Sequence, residues 1–134
     1  MIDRAAAQSY HLMLIEEGML SIHTKQRALI PFVEKPFKKR VRKIIVDAFL
    51  ANKPCKIVGL KARQVGFSTF AAATNFCFSS QQPNTHAYIV ADVEDHANNI
   101  FEMTKLFHEK LIEGENGHLC PAKKRSNARI LEFA

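Results

Sequence analysis

The chain has 134 residues, 47% of them hydrophobic and 24% charged, which suits one domain of ordinary globular composition. No apolar run approaches the roughly 20 residues of a membrane span. The N-terminus, with Asp3 and Arg4, has no long apolar region before a cleavage site, so it does not read as a secretory signal. A net charge of +6 favours polyanionic partners, nucleic acid first.

Ala5 to Leu20 reads as a helix with Gly18 near its end, and the segment from Ser21 to Pro36 as irregular, broken by Pro31 and Pro36. Phe37 to Asn52 is an amphipathic helix: Phe37, Val41, Ile44, Ile45, Ala48 and Phe49 recur at helical spacing, with Lys38, Lys39, Arg42 and Lys43 on the opposite face. That basic face is either a solvated surface or a contact for nucleic acid. Cys55 to Leu60 predicts a buried strand. Ser68 to Ser79 predicts a helix apolar nearly all round, hence a core helix. After a turn at Gln81–Asn84, His86 to Ala91 predicts a second strand, on the β preference of Tyr88, Ile89 and Val90. Asp95 is placed to cap the next helix, which runs to about Glu113 with Ala97, Ile100, Phe101, Thr104, Phe107 and Leu111 on its inner face. Gly114 to Ser126 reads as a loop carrying a second basic cluster, Lys123, Lys124 and Arg125, with Arg129 beyond it, and Ala128 to Phe133 as a third strand. Strands alternating with helices of this length predict an α/β fold with a parallel sheet.

Cys55, Cys77 and Cys120 are too far apart for a zinc knuckle or a disulfide framework. Cys55 and Cys77 fall in predicted core elements, so buried thiols and a reducing, intracellular setting are expected. The six histidines are scattered, none at a metal-ligand spacing with cysteine.

The most informative stretch is Lys61-Ala62-Arg63-Gln64-Val65-Gly66-Phe67-Ser68-Thr69, set between the first predicted strand and the apolar helix. Strand, glycine-bearing loop, hydroxyl pair and helix is the layout of a phosphate-binding loop. A phosphate needs several donors at once, and a loop ending at a helix N-terminus supplies backbone N–H groups. The common pattern G-x-x-x-x-G-K-[ST] is broken twice: Lys61 stands where the first glycine belongs and Phe67 where the lysine belongs, while Gly66 and Ser68 keep their places. The cation has moved to the front of the loop.

The run K-A-R-Q-V-G-F-S-T resembles the deviant phosphate loop of the large terminase subunits, the motors that package double-stranded DNA into the procapsids of tailed phages. The resemblance extends over residues 28–134. It takes in Leu29-Ile30-Pro31-Phe32-Val33 with Pro36 and the basic helix, Tyr88 to Asp92 with the helix after it, and Ser126 to Phe133. It implies a P-loop NTPase-like domain with a parallel sheet flanked by helices, preceded by an N-terminal helical segment at 1–27. It also implies ATP and Mg2+ as ligands. Lys61 and Arg63 become the phosphate-binding cations, Gln64 to Gly66 the loop backbone, and Ser68 the hydroxyl that reaches magnesium through the nucleotide, with Thr69 its neighbour. Many relatives recognise adenine through a glutamine ahead of the first strand; Phe37-Lys38-Lys39-Arg40 stand at the comparable positions. By the same resemblance the partners are double-stranded DNA, the small terminase subunit and the portal, with no membrane. The setting is a bacterial host's cytoplasm, for a phage or prophage protein.

Nucleotide hydrolysis also needs paired carboxylates at the end of a strand, to hold magnesium and activate water. Asp92 and Glu94-Asp95 come too early by the family's order, and the acidic motif is expected beyond Ala134. The chain therefore reads as an incomplete ATPase that binds nucleotide without useful turnover, with a half-built sheet edge favouring a homo-oligomer. The alternative from another class is a non-catalytic, basic DNA-binding or assembly module with a vestigial loop, its contacts made by Lys38, Lys39, Arg42 and Lys43 and the later cluster. A helicase-like ATPase ranks third, because its loop would keep a lysine at the Phe67 position.

Overall fold

Among the described residues Pro36 opens the first of three long helices and the left-handed Gly66 the second, two residues whose backbone chemistry suits those places. The computed structural model describes residues 15, 18–33, 35–61, 66–115 and 117–134. In order these form β1 (Ser21–His23), β2 (Leu29–Pro31), α1 (Pro36–Leu50), α2 (Phe67–Gln81), α3 (Glu94–Glu113), a 3-10 turn at Gly117–Leu119, β3 (Lys123–Ser126) and β4 (Leu131–Phe133). Most of the expected N-terminal helix lies outside the described residues. At its end Ile15 is helical and Gly18, at φ 63°, donates its N–H to the Ile15 carbonyl at 3.2 Å.

Helix α1 ends on Asn52, left-handed at φ 53°. The Asn52 N–H reaches the Phe49 carbonyl and the Lys53 N–H the Ala48 carbonyl, both at 2.9 Å. These paired bonds are a Schellman closure, with asparagine in the place glycine usually takes. Helix α2 is the centre of the core. Phe70, Ala72, Ala73, Phe76 and Cys77 are all buried on it. Two of its hydroxyls are satisfied within the helix: Thr74 donates to the Phe70 carbonyl at 3.0 Å and Ser79 to that of Asn75 at 2.7 Å. Helix α3 packs along α2 and turns Thr104, Phe107, His108 and Leu111 inward. Phe76 meets Phe107 at 5.9 Å and Phe133 at 6.0 Å between ring centroids, tying β4 to the helix pair. Phe49 meets Phe78 at 5.5 Å and brings α1 onto the same core. Val93, with no side-chain cap bond, occupies the N-cap of α3; Asp95 lies inside the first turn beside Glu94, where both acids face the positive end of the helix.

The expected parallel sheet and P-loop NTPase-like fold are not formed. Among the described residues the strands make two separate antiparallel pairs, β1 with β2 and β3 with β4. The runs at 55–60 and 86–91 belong to no ladder, and Val58 and Leu60 are fully exposed. Their β preference is genuine, but a strand exists only against a partner strand, and no described segment lies in ladder register with either. The hairpins arise where turn chemistry acts locally. In the first, the Thr24 hydroxyl accepts the Ala28 N–H at 3.1 Å and Arg27 is left-handed at φ 60°. In the second, Asn127 Oδ1 accepts the N–H groups of Arg129 and Ile130, both at 2.8 Å. The expected third strand is thus the second arm of a hairpin whose first arm, Lys123–Ser126, read as loop.

Cys55, expected in the core, is exposed, whereas Cys77 and Cys120 are buried. Burial pushes the Cys77 thiol strongly up and the Cys120 thiol up to about 11, the latter partly offset by a hydrogen bond with Ser80. The thiolate is the reactive form. Alkylation of the native protein at neutral pH is therefore expected to label Cys55 alone, with Cys77 and Cys120 labelled after denaturation. Mass spectrometry checks this, and rapid native labelling of Cys77 would contradict the packing. Phe76→Ala, at a fully buried position, is expected to cost about 3–5 kcal/mol in urea unfolding.

Candidate phosphate-binding site

Gly66 is the N-cap of the 15-residue α2 and sits at φ 75°, ψ 24°, in the left-handed region. Among the described residues no side chain caps this end, and no acid stands in its first turn. The first N–H groups of a helix have no carbonyl four residues back to bond, and the aligned peptide dipoles make this end positive. Together they form a site for an anion.

One cation is already there. Lys38, on α1, is 3% exposed, and its ammonium lies 4.9 Å from the Phe32 ring centroid and 5.8 Å from that of Phe37. A methyl group added at Gly66 would stand 2.9 Å from Lys38 Nζ. The ammonium therefore abuts the glycine backbone, in a place a larger residue would fill. The reading that put Lys38 on the solvated face of its helix is corrected by a rotation of about one residue. Lys38, Val41, Arg42, Ile45, Val46 and Phe49 face inward to differing depths, while Ile44 is exposed. The signal was in the sequence: Lys38 is three residues before Val41 and seven before Ile45, on their stripe.

Of the other expected site residues, Lys61 is exposed and Ala62, Arg63, Gln64 and Val65 lie outside the described residues. Phe67 is half-buried and packs on Phe70 at 6.2 Å. Ser68 is exposed in the first turn. The Thr69 hydroxyl points instead to Met103 Sδ at 3.6 Å and helps join α2 to α3. Ser68 is thus the better placed of the two hydroxyls to meet a ligand from solvent. Lys39 and Arg40 are exposed, and Lys43 pairs with Asp47 at 2.7 Å. In the later basic cluster Lys124 pairs with Glu132 at 2.8 Å and Arg129 with Glu94 at 2.6 Å.

The carboxylates after the second expected strand serve local structure. His96 Nδ1 lies 2.6 Å from Asp92 Oδ1, and that bond holds the Asp92 carboxyl below its usual range. A lowered folded value means the contact stabilises above the normal carboxylate range and is lost as pH falls through the lowered one. Among the described residues no three His, Cys, Asp or Glu side chains are grouped to hold a metal ion, and no helix is long and apolar enough to cross a membrane. The one large cavity described lies at the other end of α2 and is a separate feature.

No protein-family model, no curated protein and no solved structure matches this chain. The site therefore rests on its own geometry.

Gly66→Ala is expected to cost about 1–2 kcal/mol, the penalty for a side chain in the left-handed region. Gly59→Ala, with nothing within 4 Å of the added carbon, should fall within about 0.5 kcal/mol of the parent. Urea unfolding of the two variants checks the assignment; equal effects would contradict it.

Proposed function

We propose that the chain is the ATP-binding part of a phage or prophage terminase large subunit, working in the host cytoplasm with double-stranded DNA, the small terminase subunit and the portal. The observation that carries the reading is the uncapped α2 N-terminus at a left-handed glycine with an ammonium beside it. That arrangement suits the phosphates of a nucleotide. In this reading the backbone N–H groups after Gly66 bind a phosphate, Lys38 adds charge from α1, and Lys61 and Arg63 are the loop's phosphate-binding cations. Ser68 faces the magnesium ion that travels with ATP. The order of Lys61 to Thr69, with its cations ahead of the glycine, is what favours the terminase family over other nucleotide binders.

Binding without turnover is expected of this chain, because Asp92 is engaged by His96 and Glu94 by Arg129. A second reading, a non-catalytic DNA-binding module, is favoured by the exposed cations Lys39 and Arg40 on α1 and Lys123 and Arg125 on β3. It predicts DNA affinity that falls steeply with salt and ignores nucleotide.

Thermal unfolding with Mg-ATP separates the two. At a ligand concentration a hundredfold above Kd the nucleotide reading expects about 2.7 kcal/mol of added stability. The effect should be strongly reduced in Lys61→Ala and Ser68→Ala and reproduced in part by pyrophosphate. No rise at any nucleotide concentration, or an undiminished rise in both variants, would overturn it.

A further inference from the structure

The structure assigns a second function, at the far end of α2: the run Thr85–Ala91 is a strand-acceptor edge that pairs antiparallel with the same run of a second copy of this chain. It does not depend on the nucleotide site. The run passes without turn or bend. Thr85, Ile89 and Ala91 are partly covered, while His86, Ala87, Tyr88 and Val90 are exposed, Tyr88 82% and Val90 91%. Its main chain makes no hydrogen bond to another described residue, so it offers unpaired donors and acceptors.

Beside it opens a cavity of about 1310 Å³, lined by all of Thr85 to Ile89 with Phe76, Phe101 and Thr104. This exceeds the roughly 300–1,000 Å³ of small-molecule sites and suits a peptide segment. The Thr104 hydroxyl in its lining is buried without a hydrogen-bond partner among the described residues.

Composition selects the occupant. At the cavity Glu94 pairs with Arg129 at 2.6 Å and Glu132 with Lys124 at 2.8 Å, and His86 and His118 line it as well. The other unpaired run is guarded by Lys53, Lys56 and Lys61, and lysines on an edge oppose pairing of like with like. Thr85–Ala91 has no Asp, Glu, Lys, Arg, Pro or Gly, the composition that pairs with itself most readily. An antiparallel pair centred on Tyr88 sets Tyr88 against Tyr88 and His86 against Val90, an isologous contact that closes at a dimer.

Sedimentation of the whole chain is expected to show a concentration-dependent dimer, with Val90→Lys raising its dissociation constant at least about tenfold. Val90 is exposed, so unchanged circular dichroism and melting are expected of this variant. In a Cys55→Ser background, Tyr88→Cys should form a disulfide-linked dimer on mild oxidation, and Val33→Cys, 74% exposed, should not. A strictly monomeric parent, a dimer untouched by Val90→Lys, or equal cross-linking from positions 33 and 88 would each overturn the assignment. So would a cross-link in the Cys55-containing parent of Tyr88→Cys that joins position 88 to Cys55, since it would place the lysine-guarded run on this edge.

Discussion

A helix that is apolar on every side must be covered on every side, and α2 imposes that demand on the whole molecule. Its buried residues, Phe70, Phe76 and Cys77 among them, leave no solvent face in its middle. Among the described residues the cover comes from several elements, with Ile15, Leu20 and Phe32 in the same cluster. Helix α3 supplies Phe107 and Leu111, β4 supplies Phe133, and α1 supplies Phe49. At about 25 cal/mol per Å² of apolar surface removed from water, this burial is the main source of stability available to a chain with no disulfide. The two proposed sites lie at the two ends of the helix, where the cover stops.

The N-terminal end is polar by construction. Its first N–H groups point out of the helix, and the left-handed glycine before them removes the side chain that would stand in the way. Burying a lysine beside such an end is costly unless the ammonium is compensated. Lys38 draws on the faces of Phe32 and Phe37, and cation–π contact of this kind offsets part of the desolvation. That is the physical link between the fold and the proposed nucleotide site: the same helix that organises the core presents a positive end, and a neighbouring helix brings a cation to it. At the C-terminal end Glu94 and Glu132 are already paired, and what lies open is peptide backbone.

The helices were legible in the sequence because their signals are local. Phe37 to Asn52, Ser68 to Ser79 and the segment ending at Glu113 all form close to their expected bounds. The strands were legible only as preference. Ile57, Val58, Tyr88 and Val90 favour extended backbone wherever they stand, but pairing depends on a neighbour that periodicity cannot name. Conversely, the Lys123–Ser126 arm looked like a loop because all four of its residues are polar; it is held by the Asn127 turn and by cross-strand bonds. The loop glycine was placed correctly at the start of α2. What was missed beside it was Lys38, because a lysine was sorted by charge onto the wet face when its spacing from Val41 and Ile45 put it on the dry one.

The claim on which the functional account stands is that an anion binds at Gly66. Titration of the 15N-labelled chain with pyrophosphate and then Mg-ATP tests it most directly. The account predicts saturable shifts of the Gly66, Phe67 and Ser68 amides, with the Lys38 side chain responding at the same concentrations and the amides of 85–91 silent. Shifts spread over the exposed cations of α1 and β3, with Gly66 unmoved, would contradict it.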